Sequence, residues 1–159
     1  MMYVIGEQQQ NSFLKQLKQV GEASNKWEMY FEDPVTGQEW MTYYPYSEMH
    51  GGGPRLLRHK QVPTPSREWA RICLDSPEKD DAIGLAIDMS LLTEEVETIL
   101  DYVEANLHLL VRDSVRLFLE HLRPKDKRVI IGKTFNEVKA SHEEYTDLMR
   151  RIGKLAQNI

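Results

Sequence analysis

The residues best suited to chemistry are Glu48 and His50, which are followed by three glycines. A carboxylate beside an imidazole can orient it as a general base, and the N–H groups of consecutive glycines can bind an anion. However, a phosphate-binding loop needs a helix start after it, whereas Gly53 runs into Pro54, which has no N–H to donate. A small enzyme built on Glu48 and His50 is therefore the less favoured alternative.

Other catalytic and metal-binding patterns are missing from the sequence. None of the five histidines lies in a His-Glu-x-x-His or His-x-x-x-His arrangement, so we expect no metal site. No serine or cysteine occupies a nucleophile elbow, and no glycine-rich fingerprint opens a dinucleotide-binding fold. The single cysteine, Cys73, lies in an apolar stretch, which predicts a buried thiol. We therefore expect a protein without catalytic residues, metal or cofactor.

Charge is distributed unevenly along the chain. The formal net charge is -5, but residues 75–104 contain ten acids and a single base, Lys79. A negative surface disfavours nucleic acid and steers a basic protein partner, although a solvated helix face is the simpler explanation for any one acid. The candidate partner-binding residues in this block are Asp80, Asp81, Asp88, Glu94, Glu95, Glu97 and Asp101.

Aromatic residues and turn signals predict a β-hairpin in the first third of the chain. The segments 27–31 and 38–44 are rich in aromatic residues, and they flank a reversal, 33–37, in which proline and glycine supply the turn conformations. A helix over 12–20 and a short third strand over 55–60 are also predicted. So small a sheet cannot bury every aromatic side chain, and exposed ones are suited to anchoring a protein partner.

Helical periodicity dominates the chain beyond residue 66. Apolar residues recur three and four positions apart along about five segments, as on the buried faces of helices. Thr93 precedes two glutamates at one helix start, while Ser141 with Glu144 predicts a capping box for a last helix over 143–157. Short turns between such helices favour an antiparallel bundle or a short repeat of helical hairpins.

The fold class expected from these patterns is α+β. Residues 1–62 are predicted to form a small unit, an antiparallel hairpin or three-stranded meander with one helix, and residues 63–159 an all-helical unit. The linker-like segment 62–66 marks the boundary, and the two units can share one core. Neither a secretory leader nor a run of roughly 18 apolar residues is visible, so the expected location is the cytoplasm.

A string of motif residues in the N-terminal third is the most specific feature of the sequence. Its members are Trp27, Tyr30, Asp33, Pro34, Gly37, Trp40, Tyr44, Pro45, Ser47, Glu48, His50, Gly51, Gly52 and Gly53. Over residues 26–58 this pattern resembles immunity protein 27, a family of bacterial polymorphic toxin systems. More weakly, the chain from Trp69 onward is similar to helical-repeat immunity proteins through the segment 111–116, which reads Val-Arg-Asp-Ser-Val-Arg.

The resemblance implies a cytoplasmic antidote that binds a toxin domain and performs no reaction of its own. Many toxins of these systems are nucleases, so the acidic block could occlude a basic active surface. Tyr46, Glu48 and His50 join that block as candidate partner-binding residues. The alternative to an immunity protein is a helical adaptor or scaffold that binds its partner on a concave helical surface.

Overall fold

The protein has an α+β fold, as predicted. The computed structural model describes residues 1–22, 27–46, 53–63, 66–124, 132 and 134–159. Its strands are β1 (Tyr3–Val4), β2 (Lys18–Glu22), β3 (Met29–Glu32), β4 (Glu39–Tyr43) and β5 (Leu56–His59). Its helices are α1 (Glu7–Leu14), α2 (Ser66–Leu74), α3 (Lys79–Leu91), α4 (Thr93–Asn106), α5 (Arg112–His121) and α6 (Phe135–Gln157).

The strands form one antiparallel sheet in the order β1-β5-β4-β3-β2. β3 and β4 are the two arms of the predicted hairpin, and β5 is the predicted third strand. The turn uses the expected chemistry, because the Asp33 carboxylate accepts the N–H of Val35 at 2.8 Å and Gly37 adopts a φ of 70°. The sheet is nevertheless larger than the predicted meander, since β1 and β2 add a strand at each edge.

The helix predicted over 12–20 is wrong in its position. α1 begins at Glu7 and ends at Leu14, after which the chain turns and continues as the edge strand β2. The apolar spacing that suggested the helix has another cause, because Phe13, Leu14 and Leu17 all pack on the same face of the sheet. Leu17 reaches that face from the turn after the helix rather than from a further helical turn.

The last helix also begins earlier than predicted, at Phe135. Its capping box is formed by Thr134 and Glu137, since the Glu137 carboxylate accepts the N–H of Thr134 at 2.7 Å and the Thr134 hydroxyl accepts the N–H of Glu137. Ser141 and Glu144 have the same spacing but lie inside the helix. The predicted capping box at Ser141 is therefore wrong, because the earlier copy of the pattern starts the helix.

α1 covers one face of the sheet. Phe13 packs edge to face against Trp40 with ring centroids 4.8 Å apart, and Trp40 is only 2 % exposed. Val4, Phe31 and Leu57 from three other strands complete this small core. Each strand therefore places alternate residues under α1 and the residues between them on the opposite face.

The opposite face of the sheet meets α2 and α3. Tyr3 of β1 is fully buried there, and its ring stacks on Trp69 of α2 at a centroid distance of 6.3 Å. Gly84 of α3 permits this approach, because a Cβ atom at Gly84 would lie 2.2 Å from the Tyr3 ring. Tyr3 thus belongs to the same apolar core as the helices.

Helix α3 lies at the centre of the helical part. Eight of its thirteen residues are buried, because it contacts β1 as well as α2, α4 and α5. Two of those eight are the aspartates Asp81 and Asp88, which face the sheet side of the core.

Among the described helices, none has both the length and the apolar character needed to cross a bilayer.

We propose that the sheet and the helices unfold as one cooperative unit, and Asp81→Ala tests the contact that joins them. The Oδ1 atom of Asp81 accepts the backbone N–H groups of Met2 and Tyr3. Removing this buried acceptor leaves two donors unsatisfied, so the free energy of unfolding should fall by about 2–3 kcal/mol within a single transition.

Urea denaturation, followed by both tryptophan fluorescence and far-ultraviolet circular dichroism, measures this change. The matched control is Asp113→Ala, because Asp113 is exposed on α5 and, among the described residues, pairs only with Arg116 on the same helix. The control substitution should lower the free energy of unfolding by less than about 1 kcal/mol. Two separate transitions in the unmodified protein, or equal losses in the two variants, would contradict the proposal.

Candidate functional site

The described motif residues divide into those that build the hairpin and those that remain at its surface. Asp33, Pro34 and Gly37 form the turn, and Trp40 is buried beneath α1. Tyr30 is half-buried on the sheet, with the Lys60 ammonium 5.3 Å from the centre of its ring. Other described motif residues, among them Trp27 and Tyr44, lie at the open end of the hairpin, away from the turn.

Trp27 and Tyr44 form an aromatic pair at that open end. Their rings meet edge to face with centroids 5.7 Å apart, and Trp27 is 51 % exposed. Pro45 and Tyr46 continue the chain from this pair and are half-buried. Protein interfaces concentrate their binding energy in such tryptophan and tyrosine side chains, because these combine a large apolar area with little conformational freedom.

A cleft of about 420 Å³ opens beside Tyr44, between α1 and the start of β5. One wall is fixed by Gln10, which is 1 % exposed and whose Nε2 shares its two N–H donors among the backbone carbonyls of Val4, Ile5 and Arg55. The residues that line the cleft are Ile5, Glu7, Gln10, Asn11, Tyr44, Gly53, Pro54 and Arg55.

Arg55 is half-buried in this cleft and is held by two uncharged side chains. Its Nε donates to Oε1 of Gln10 at 2.9 Å, and its Nη2 donates to Oδ1 of Asn11 at 2.8 Å. Its guanidinium forms no ion pair with any residue that the structure describes. Sequence reasoning missed Arg55 and Gln10, because they lie 45 residues apart and neither stands in a recognisable pattern.

The remainder of the motif is described only in part. Gly53 has a φ of 62°, and a side chain there would come within 2.9 Å of Cδ2 of Tyr46. The end of the glycine run therefore packs closely on Tyr46, which lies between the motif residues Pro45 and Ser47. The motif residues that lie outside the described part of the chain are Ser47, Glu48, His50, Gly51 and Gly52.

The predicted acidic residues fall into buried and exposed groups. Asp81 and Asp88 are 1 % and 6 % exposed, so their carboxylates face the interior of this chain. Asp80 accepts the N–H of Ile5 at 2.9 Å, and Glu95 accepts a serine hydroxyl from the start of α2. The carboxylates of all four acids accept hydrogen bonds from other segments of the same protein.

Helix α4 carries the exposed acids on one side. Glu94, Glu97, Asp101 and Glu104 recur three and four positions apart, and we name them the α4 acidic stripe. Arg151 of α6 bridges two of them, with Nη2 at 2.6 Å from Asp101 and 2.8 Å from Glu104. Its hydrogen bond holds the pKa of Glu104 below the usual range. Glu94 and Glu97 make no ion pair with a described residue.

Asp88 is the centre of a buried polar cluster between α3 and the sheet. The hydroxyls of Tyr3 and Tyr43 donate to its two carboxylate oxygens, and Nε of Arg58 lies 3.4 Å from Oδ2. That Nε atom makes no hydrogen bond within the described residues, so the contribution of Arg58 is electrostatic. Burial outweighs these contacts and raises the pKa of the Asp88 carboxyl.

The remaining reactive side chains are not grouped for chemistry. Cys73 is buried, as predicted, and burial raises the pKa of its thiol, which disfavours the nucleophilic thiolate. Within the described ranges, no three His, Cys, Asp or Glu residues are close enough to hold a metal ion.

Trp27 and Tyr44, which meet at the open end of the hairpin, are of the residue types enriched at the centres of protein interfaces. Residues 11–59 match the family model of immunity protein 27. The resemblance inferred over 26–58 is therefore confirmed, and the match extends back into α1 and β2. It contains Trp27, Tyr44 and Arg55. No curated protein and no solved structure matches the chain.

The variant Asp88→Asn tests the buried polar cluster through its pH dependence. Because burial raises the pKa of Asp88 in the folded protein, the folded state binds the proton more tightly than the unfolded chain does. The stabilisation that protonated Asp88 gives the folded state is fully present below the unfolded pKa of about 3.9. It is lost as the pH rises through the folded pKa of this carboxyl. The free energy of unfolding of the unmodified protein, minus that of Asp88→Asn, should therefore fall with increasing pH.

Urea denaturation at intervals between about pH 4 and about pH 7 gives this difference directly. Tyr43→Phe is a useful second variant, because it removes a hydrogen bond that lowers the pKa of Asp88. In the presence of Tyr43→Phe, the stability difference made by Asp88→Asn should therefore decline at a higher pH. A difference in unfolding free energy that grows with pH would mean that folding lowers the pKa of Asp88. That result would contradict the effect of burial on this carboxyl.

Proposed function

We propose that this protein binds a toxin domain and blocks its activity, as an immunity protein. The observation that carries the proposal is the match of residues 11–59 to immunity protein 27. The matched segment contains the hairpin whose open end exposes Trp27 beside Tyr44. The toxin is neutralised by being covered, the antidote performs no reaction itself, and the complex forms in the cytoplasm.

The aromatic pair is the anchor of the proposed interface. A stable protein interface buries about 800 Å² on each partner, and a few central aromatic or arginine side chains provide most of its binding energy. Trp27 and Tyr44, with Tyr46 two residues further along the chain, have that composition. We therefore place the centre of the interface at the open end of the hairpin.

The second part of the proposal is that the toxin presents a basic surface to the α4 acidic stripe. Glu94 and Glu97 carry charges that no described residue neutralises, and Asp101 is exposed although it pairs with Arg151. Such charges accelerate association with a basic partner and weaken with added salt. Asp81 and Asp88 are not part of this surface, because their carboxylates are buried.

Co-expression is the first test of the proposed function. The protein is produced with the toxin domain encoded beside it, and both cell survival and co-purification are scored. We expect survival and a stable complex. Cell death without a complex would overturn the proposal and would favour the alternative of a helical adaptor.

Two variants with matched controls then locate the interface. Trp27→Ala should weaken toxin binding by about 2 kcal/mol, roughly thirtyfold, because it removes the aromatic anchor. The control is Val35→Ala, since Val35 is 89 % exposed in the turn at the other end of the hairpin. Isothermal titration calorimetry gives both affinities, and equal affinities would remove Trp27 from the interface.

The double charge reversal Glu94→Lys with Glu97→Lys should slow association about tenfold at low salt, with a smaller effect at high salt. The matched control is the double reversal of Glu143 and Glu144, which are exposed on α6. Stopped-flow measurement gives the rate at which each double variant associates with the toxin. If both double variants associate at the same rate, the α4 acidic stripe does not steer the toxin.

A further inference from the structure

The cleft beside Tyr44 contains an arginine that the described part of the chain orients without neutralising. We propose that this cleft binds a single acidic side chain of the toxin domain, and that Arg55 is the residue that recognises its carboxylate. The inference rests on the proposed function, because it assigns a contact within the same complex.

The hydrogen bonds of Arg55 leave one edge of its guanidinium available. A guanidinium has five N–H donors in a planar fork, and the contacts with Gln10 and Asn11 use only one from Nε and one from Nη2. The remaining Nη1 and Nη2 donors lie side by side, in the arrangement that binds both oxygens of a carboxylate. A neutral amide would use the same donors but would gain no charge attraction.

The position of Arg55 is fixed before any partner arrives. Gln10 is held by three backbone carbonyls and is 1 % exposed, so its Oε1 presents a stationary acceptor to Arg55. A side chain that is already ordered loses little conformational entropy on binding. The structure therefore maintains an oriented cation at the surface of the matched segment.

Four other described arginines differ from Arg55 in one of two ways. Arg71 and Arg151 are ordered, but each is paired with acids of this chain at 2.9 Å or less. Arg67 and Arg112 are exposed and make no described hydrogen bond or ion pair. Arg55 combines order with a charge that no described residue neutralises, which is what a site for an incoming carboxylate requires.

The walls of the cleft define what else the occupant must carry. Its volume of about 420 Å³ is near the small end of the 300–1,000 Å³ that is usual for ligand sites, so it takes one or two side chains. Ile5, Tyr44 and Pro54 offer an apolar wall beside Arg55. Glu7 also lines the cleft and repels a second acid. The fitting occupant is one Asp or Glu next to an apolar residue.

The test uses the full-length protein and the toxin domain encoded beside it. Arg55→Gln should weaken binding at least tenfold, and Arg55→Lys should also weaken it because a lysine lacks the planar fork. The matched control is Arg67→Gln, which should bind as the unmodified protein does. Thermal melting of each variant checks folding, and Gln at position 55 can still hydrogen-bond to the Gln10 and Asn11 side chains.

A second measurement identifies the group on the toxin. With p-benzoylphenylalanine in place of Glu7, which is exposed at the edge of the cleft, ultraviolet light cross-links the toxin segment that enters the cleft, and mass spectrometry locates it. We expect that segment to contain an Asp or Glu, and its replacement by Lys to restore binding to Arg55→Glu. A cross-linked segment without an acid, or no restoration, would overturn the proposal.

The outcomes separate this inference from the proposed function. If the toxin binds Arg55→Gln and the unmodified protein equally well, the cleft does not recognise a carboxylate, and the immunity function stands. If the unmodified protein binds no toxin, both proposals fall. A loss that appears in Arg55→Gln and Arg55→Lys but not in Arg67→Gln supports the assignment.

Discussion

Helix α3 holds two carboxylates that face the sheet and are almost completely shielded from water, those of Asp81 and Asp88. Asp81 accepts two backbone N–H groups of the first strand region, and Asp88 accepts the hydroxyls of Tyr3 and Tyr43 with Arg58 nearby. A buried charge without such partners costs several kcal/mol. The contacts therefore permit only a narrow range of positions for the sheet on the helices.

This constraint determines which surfaces remain for a partner. α1 and the helical part cover opposite faces of the sheet, so exposed motif residues are left at the open end of the hairpin. The cleft that contains Arg55 is lined by Tyr44, so it opens at the same end. Gln10 of α1 hydrogen-bonds to the backbone carbonyl of Arg55 and thereby fixes α1 beside the start of β5. The α4 acidic stripe lies on a separate element, and in our proposal it meets a basic region of the toxin whereas Arg55 meets an acidic side chain.

Local signals made the hairpin predictable, since Asp33, Pro34 and Gly37 specify its turn without reference to the rest of the chain. The buried role of Asp88 could not be predicted, because its tyrosine partners are 45 and 85 residues away and an aspartate within an acidic block usually faces water. The start of α6 was missed for another reason. The capping pattern occurs twice with the same spacing, and the local sequence alone does not distinguish the copy at Thr134 from the one at Ser141.

Hydrogen–deuterium exchange of the protein, alone and in complex with the toxin domain encoded beside it, tests the central claim most directly. The account predicts slower exchange in the complex for the backbone amides around Trp27, Tyr44 and Arg55, with little change in the turn at 33–37. Protection confined to α6, or no difference between the two samples, would contradict the claim that the matched segment forms the toxin-binding surface.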